Sequence, residues 1–160
     1  MSNPLEDMEK PDVIFCIGTN MTECHPVAAT RLKRAMARGA KLIVVNPRRI
    51  DMCDYADLWL RAHPGTDVAL LNGMAKVILD EGLQDQAFVT NRTEGFEEWA
   101  KVVESYPPDR VEEITGVPAE DIRQAARFYA QPPAPSTPPF GKGWSGGISP
   151  GSCLIWGMGI

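Results

Sequence analysis

At 160 residues the chain is long enough for one domain with a real core and too short for two comfortable ones. A formal net charge of −5 and a pI near 5.0 leave no basic field to hold nucleic acid; the positive residues gather locally at 31–38 and 48–49. No apolar run approaches the roughly 20 residues of a membrane helix, and the polar, acidic opening MSNPLEDMEKPD lacks the build of a secretion signal.

In chain order, VIFCIG (13–18) is a short β-rich apolar run closed by Gly, which predicts a buried strand. Pro26 suits a first helical turn, and VAATRLKRAMAR follows with Val27, Leu32, Ala35 and Met36 expected on the buried side. Its arginines are read as a solvated face. Gly39 stands where a left-handed cap belongs. KLIVVNP (41–47) is a second buried strand, so this strand–helix–strand unit predicts an α/β fold with a parallel sheet.

A third extended run covers 56–65, followed by the clearest helix, DVALLNGMAKVILDEG. Asp67 is expected to cap it, with Val68, Leu71, Ala75, Ile78 and Leu79 as its buried stripe and Gly82 as its end. The pattern then stays helical to Ala130, with Phe96, Trp99 and Val103 sharing one face. Residues 131–152 are almost all Pro, Gly and Ser and cannot build a core. CLIWGMGI (153–160) resumes as an apolar strand, expected to be buried. The organisation is therefore read as an α/β domain over 1–130, a linker or insertion over 131–152, and a last strand of the same domain over 153–160.

Four strand ends carry special residues: Gly18-Thr19-Asn20, Asn46-Pro47-Arg48-Arg49, Pro64-Gly65-Thr66-Asp67 and Gly157-Met158-Gly159. In a parallel sheet such ends open on one edge, where ligands bind. Gly18 lets backbone approach a ligand, and the helix near Pro26 offers free N–H groups to phosphate. Arg48 can fork onto phosphate or stack on a base, and Asp67 has the acceptor pair for guanine's N1–H and N2–H donors or a ribose diol. Plainer roles stand beside these: turn chemistry for the glycines, capping for Asp67, solvation for Arg48 and Arg49. His25 reads as a capping or packing residue and Cys16 as core. Cys24 is a thiol near a helix start without a base or acid partner fixed by sequence. The four cysteines form no CxxC pair, against a zinc ribbon, an iron–sulfur ligand set or a disulfide framework. No Ser-His-Asp, HExxH or GxxxxGK[ST] pattern is present.

Taken together, VIFCIGTNMTECHPVAATRLKRAMARGAKLIVVNPRRIDMCDYADLWLRAHPGTDVALLNGM, then RTEGFEE, ITGVPAEDIRQAARFYA and the closing IWGMGI, resemble the cofactor-binding α/β domain of the molybdopterin oxidoreductases, in the formate dehydrogenase alpha-subunit branch. The resemblance covers nearly all of 12–130 and then 154–160. It implies a Rossmann-like three-layer domain with a mainly parallel sheet and a helical C-terminal half.

It also implies molybdopterin guanine dinucleotide, carrying Mo or W, as the cofactor of a two-electron oxidation of formate to CO₂. Gly18, Asn20, Glu23 and Cys24 would lie near the dinucleotide and its phosphates. Asn46 and Arg48 would lie against the guanosine, with Gly65, Thr66 and Asp67 lining that pocket and Met158 and Gly159 nearer the active centre. Many relatives carry Asp where Asn46 stands.

The family's metal ligand (Cys or selenocysteine), the catalytic His after it and the Cys-rich segment for a [4Fe-4S] cluster have no counterpart here. The chain is therefore expected to be a fragment starting at an internal position, with no catalytic or metal-binding residue of its own and no activity alone. The expected partners are the other domains of the catalytic subunit and electron-transfer subunits with iron–sulfur or flavin cofactors, in the cytoplasm. Competing readings are a non-catalytic relative of the NADH dehydrogenase large iron–sulfur subunit, another reductase of the superfamily (nitrate, thiosulfate or arsenate), and a standalone nucleotide binder.

Overall fold

The computed structural model describes residues 5–131 and 151–157. Four strands, β1 (Val13–Ile17), β2 (Lys41–Val45), β3 (Leu58–Leu60) and β4 (Ser152–Trp156), form one parallel sheet in the order β3-β2-β1-β4. In β1 all five residues are buried, which explains its unbroken apolar run: both faces of a parallel sheet are covered. Helix α1 (Met21–Cys24) is a single turn, and α2 (Pro26–Ala37) carries the chain from β1 to β2. The expected start and stop of α2 are both present, with Pro26 at its first turn and Gly39 at φ 101 just past its end.

One face of the sheet packs Ile14, Cys16, Leu42 and Val44 under Ala28, Ala29, Leu32 and Ala35 of α2. Val27, expected on that buried side, is 72% exposed, because the small Ala28–Ala29 pair turns toward the sheet instead. A 3-10 turn over Leu5–Glu9 lies on α2. Glu9 is buried and accepts hydrogen bonds from Arg31 (2.6 Å) and Arg34 (3.2 Å), with Arg38 at 3.7 Å. The arginine cluster is thus a clamp on the N-terminal turn and not merely a solvated face.

The opposite face is covered by α3 (Asp67–Asp80), α6 (Pro108–Thr115) and α7 (Ala119–Ala130), while α4 (Gln86–Arg92) and α5 (Phe96–Val103) lead between them. Phe15, Ile17, Ile43, Val45 and Leu60 meet Leu70, Met74, Val77, Val111 and Ile122 there. On α5, Val103 is fully buried whereas Trp99 is 42% exposed, so the expected shared face is only partly inside.

The stripe expected on α3 is displaced. Ala69, Leu70, Gly73, Met74 and Val77 are buried, while Val68 is 67% and Leu71 37% exposed. The polar stripe Asn72, Lys76 and Asp80 leaves a broad apolar arc on this helix, so periodicity alone does not choose which part of the arc is buried. Gly73 does, because a Cβ there would come 2.9 Å from Val111 Cγ2, and α6 needs that gap.

β4 is an edge strand among the described residues, with Leu154 41% and Trp156 66% exposed, and so is not the buried strand expected. It is held to its neighbour by the Gly151 N–H donating to Asp12 Oδ2 (3.0 Å), and to α7 by the Ser152 hydroxyl donating to the Tyr129 carbonyl (2.6 Å). Helices cover both faces of the sheet, giving the three layers expected. After β3 the chain crosses over α3–α7 and returns on the far side of β1, so the strand order reverses between β1 and β4. No helix among the described residues is long and apolar enough to cross a membrane.

Candidate functional site

The parallel registers pair Ile17 with both Val45 and Trp156, and Val45 with Leu60, so the loops after β1, β2 and β3, and Gly157 after β4, leave the sheet along one edge. At the switch point the backbone is packed without room for side chains. Gly18 has φ 60 and its N–H donates to the Val45 carbonyl (3.2 Å), while the Gly157 N–H donates to the Ile17 carbonyl (3.1 Å). A Cβ on Gly157 would sit 2.3 Å from the Gly18 oxygen. Such close approach of two strand-end loops marks where open α/β sheets accept ligands.

Thr19 is buried, and Asn20 follows with its Oδ1 accepting the Thr22 hydroxyl (2.9 Å). The Asn20 Nδ2 is buried and has no hydrogen-bond partner. A buried donor left this way costs on the order of 1–3 kcal/mol, which an arriving acceptor recovers. Glu23 and Cys24 are both exposed, and Glu23 Oε2 lies 3.9 Å from Arg48 Nη2, bridging the first loop to the second. His25 precedes α2 without making a side-chain cap.

The second loop is held by its own asparagine. Asn46 Oδ1 accepts the Arg48 N–H (3.0 Å), its carbonyl accepts the Trp59 indole N–H (2.9 Å), and its own N–H donates to the Leu60 carbonyl (3.2 Å). These bonds make Asn46 a loop-shaping residue. In the third loop, Gly65 has φ 80 and Thr66 donates its hydroxyl to the His63 carbonyl (2.7 Å). The expected cap is not made by Asp67, since Thr66 holds the cap position and Asp67 is the first helical residue. Freed of that task, the Asp67 carboxylate is half-buried and has no hydrogen-bond or ion-pair partner among the described residues. The whole loop is braced from behind. His63 donates its N–H to the Thr115 carbonyl (2.9 Å), and a Cβ on Gly116 (φ 73) would come 2.7 Å from His63 Nε2.

The structure therefore gathers Gly18, Asn20, Glu23, Cys24, Asn46, Arg48, Gly65, Thr66 and Asp67 along one edge, while Met158 and Gly159 lie outside the described residues. Sequence reasoning overlooked Arg61, whose Nε donates to the Pro47 carbonyl (3.2 Å) at that same edge. Its signal was faint: one charge after an apolar run. Beside the switch point a mainly apolar groove of about 650 Å³ runs between α2 and β4, lined by Met21, His25, Val27, Ile155 and Trp156 among others. Cys16 is core, its thiol pKa pushed up to about 12 by burial and, secondarily, by Cys153. Among the described residues, no group of three or more His, Cys, Asp or Glu side chains is placed to hold a metal ion.

A profile of the family described as Molybdopterin oxidoreductase matches residues 1–160. Formate dehydrogenase H of Escherichia coli K12 is 42% identical over the whole chain, which covers 20% of that protein. The F420-dependent formate dehydrogenase subunit alpha of Methanocaldococcus jannaschii is 44% identical over 81% of the chain and 19% of its own length. Among solved structures, acetylene hydratase from Pelobacter acetylenicus superposes with a TM-score of 0.76 at 37% identity, covering 91% of this chain and 18% of that one. The chain thus spans about a fifth of the length of the curated relatives it matches.

Proposed function

This chain belongs to the molybdopterin oxidoreductase family, and from that premise we propose that it is the cofactor-binding part of a formate dehydrogenase-like catalytic subunit. Its ligand is the guanine dinucleotide form of a molybdenum or tungsten pterin. When bound, that group supplies two-electron redox chemistry; the chain's own share is to seat and orient it. Residues 1–130 and 153–160 act as one domain, and 131–152 join its two parts. A [4Fe-4S] cluster, the metal's protein ligand and the electron-transfer partners belong to sequence outside this chain, so formate turnover is a property of the larger protein.

The observation that carries the reading is the orphaned Asn20 amide beside the Gly18–Gly157 seam. A buried donor next to bare backbone fits an oxygen-rich linker such as a diphosphate. The unpartnered Asp67 carboxylate fits the other end, accepting guanine's N1–H and N2–H, while Arg48 and Glu23 close the edge between them. Asn46 shapes the loop that presents Arg48. Cys24, Gly65 and Thr66 border the ligand as loop residues; Met158 and Gly159, assigned a place nearer the active centre by the family resemblance, lie outside the described residues. A nitrate reductase reading is favoured by one fact: a Synechocystis enzyme of that name is 40% identical over 78% of this chain.

The test uses the full-length parent protein. Acid extraction is expected to release guanine nucleotide from the wild type, and about tenfold less from Asp67→Ala, whose lost acceptor pair is worth a strong charged hydrogen bond. A wild-type protein that releases no guanine nucleotide overturns the reading and leaves the non-catalytic structural relative in its place.

A further inference from the structure

We propose that Arg61, placed by nothing in the family resemblance, is a specificity-determining residue that reads the O6/N7 edge of the guanine. The inference rests on the functional reading above. Three observations carry it. First, the Arg61 guanidinium is anchored by one atom only, its Nε donating to the Pro47 carbonyl (3.2 Å), which leaves both Nη groups available. Second, it is the unneutralised cation of this edge: Arg48 meets Glu23 and Arg49 meets Asp54, whereas Arg61 has no carboxylate partner among the described residues. Third, its place suits a base better than a phosphate. Neighbouring strands lie about 4.8 Å apart, so the end of β3 is about 10 Å from the bare backbone after β1, roughly the reach from a diphosphate to its base.

The chemistry is complementary. Guanine shows two acceptors, O6 and N7, to which an arginine fork donates in pairs. Asp67, on the connection that Arg61 begins, accepts from the donors N1–H and N2–H. Adenine puts an N6 amino group where guanine has O6, so the same fork meets a donor and loses its bond. Together the two residues read the whole guanine edge.

The experiment is calorimetric titration of the full-length parent protein, freed of bound cofactor, with guanosine, guanosine diphosphate and adenosine diphosphate, on wild type, Arg61→Gln and Arg61→Lys. The side chain is exposed, and circular dichroism checks that each variant is folded. Wild type is expected to prefer the guanosine diphosphate. Both variants are expected to weaken guanosine and guanosine diphosphate alike by about tenfold, with adenosine diphosphate unchanged. A loss confined to the diphosphate, or rescue by the lysine, would assign the contact to phosphate charge and overturn the proposal, as would unchanged binding of both. Wild-type parent protein that binds no guanosine compound fails the functional reading beneath it.

Discussion

The two faces of the sheet are built to different thickness. On one side a single helix, α2, covers the strands with alanines and Leu32, and a short N-terminal turn is tied over it by Glu9. On the other, α3, α6 and α7 form a continuous apolar layer, with α3 touching both of the others. The thin side is where the edge loops are open: Asn20, Glu23, Cys24 and the groove by Trp156 all lie at its margin. The thick side supplies the bracing, through His63 against Thr115 and Gly116, that fixes the connection carrying Asp67. One face thus leaves room for a ligand, and the other keeps the loops in place.

Truncating the two cores should show this difference most strongly. Leu70 and Leu32 are both fully buried, one in each layer. Core Leu→Ala changes cost about 2–5 kcal/mol, more where neighbours cannot close the gap. Leu70→Ala, on the helix that meets both α6 and α7, is expected near 4 kcal/mol and Leu32→Ala near 3 kcal/mol. Denaturant unfolding measures both, and a larger loss at Leu32 would reverse the contrast drawn here.

Acid should act next, and on both faces. Hydrogen bonding from Arg31 holds the Glu9 carboxyl below its ordinary value of 4.5, and Arg127 does the same for Glu81, where α3 and α7 meet. A depressed folded pKa contributes stability that is complete above the unfolded value and is lost as pH falls through the folded one. Stability should therefore fall from about pH 4.5 downward. The Glu9 side chain is 11% exposed and that of Glu81 33%, so Glu9→Gln should flatten the acid limb more than Glu81→Gln. Equal flattening in a pH series of unfolding curves would show the two clamps to be equivalent.

Thiol labelling gives the smallest effect. Cys24 stands exposed on the open margin, while Cys16 is 1% exposed with its pKa raised to about 12. At pH 8 a thiol reagent should modify Cys24 first and reach Cys16 only on unfolding. Labelling of both at one rate in the native chain would mean that the α2 layer opens freely.

Much of this architecture was legible in the residues. β1, β2 and α2 announced themselves because buried parallel strands need unbroken apolar runs and helix ends need Pro and Gly. What escaped was whatever depends on a distant neighbour. The face of α3 is chosen by Val111 at Gly73, nearly forty residues on, and the exposure of β4 follows from its place in the strand order. Asp67 looked like a cap because its type suits one, yet Thr66 occupies that position. The clamp on the N-terminal turn was hidden for a similar reason: arginines on a helix look solvated until the carboxylate they meet is located in space. The edge loops were readable as a set, while Arg61 needed the Pro47 carbonyl to place it.

The contact between residues 18 and 157 limits how this protein can change. One added methyl at 157 would overlap a carbonyl oxygen of the adjoining ribbon, so that seam has no latitude for substitution. Any drift toward a bulkier or differently charged ligand must come from the flanks of the opening, leaving its hinge line of bare backbone as the fixed reference.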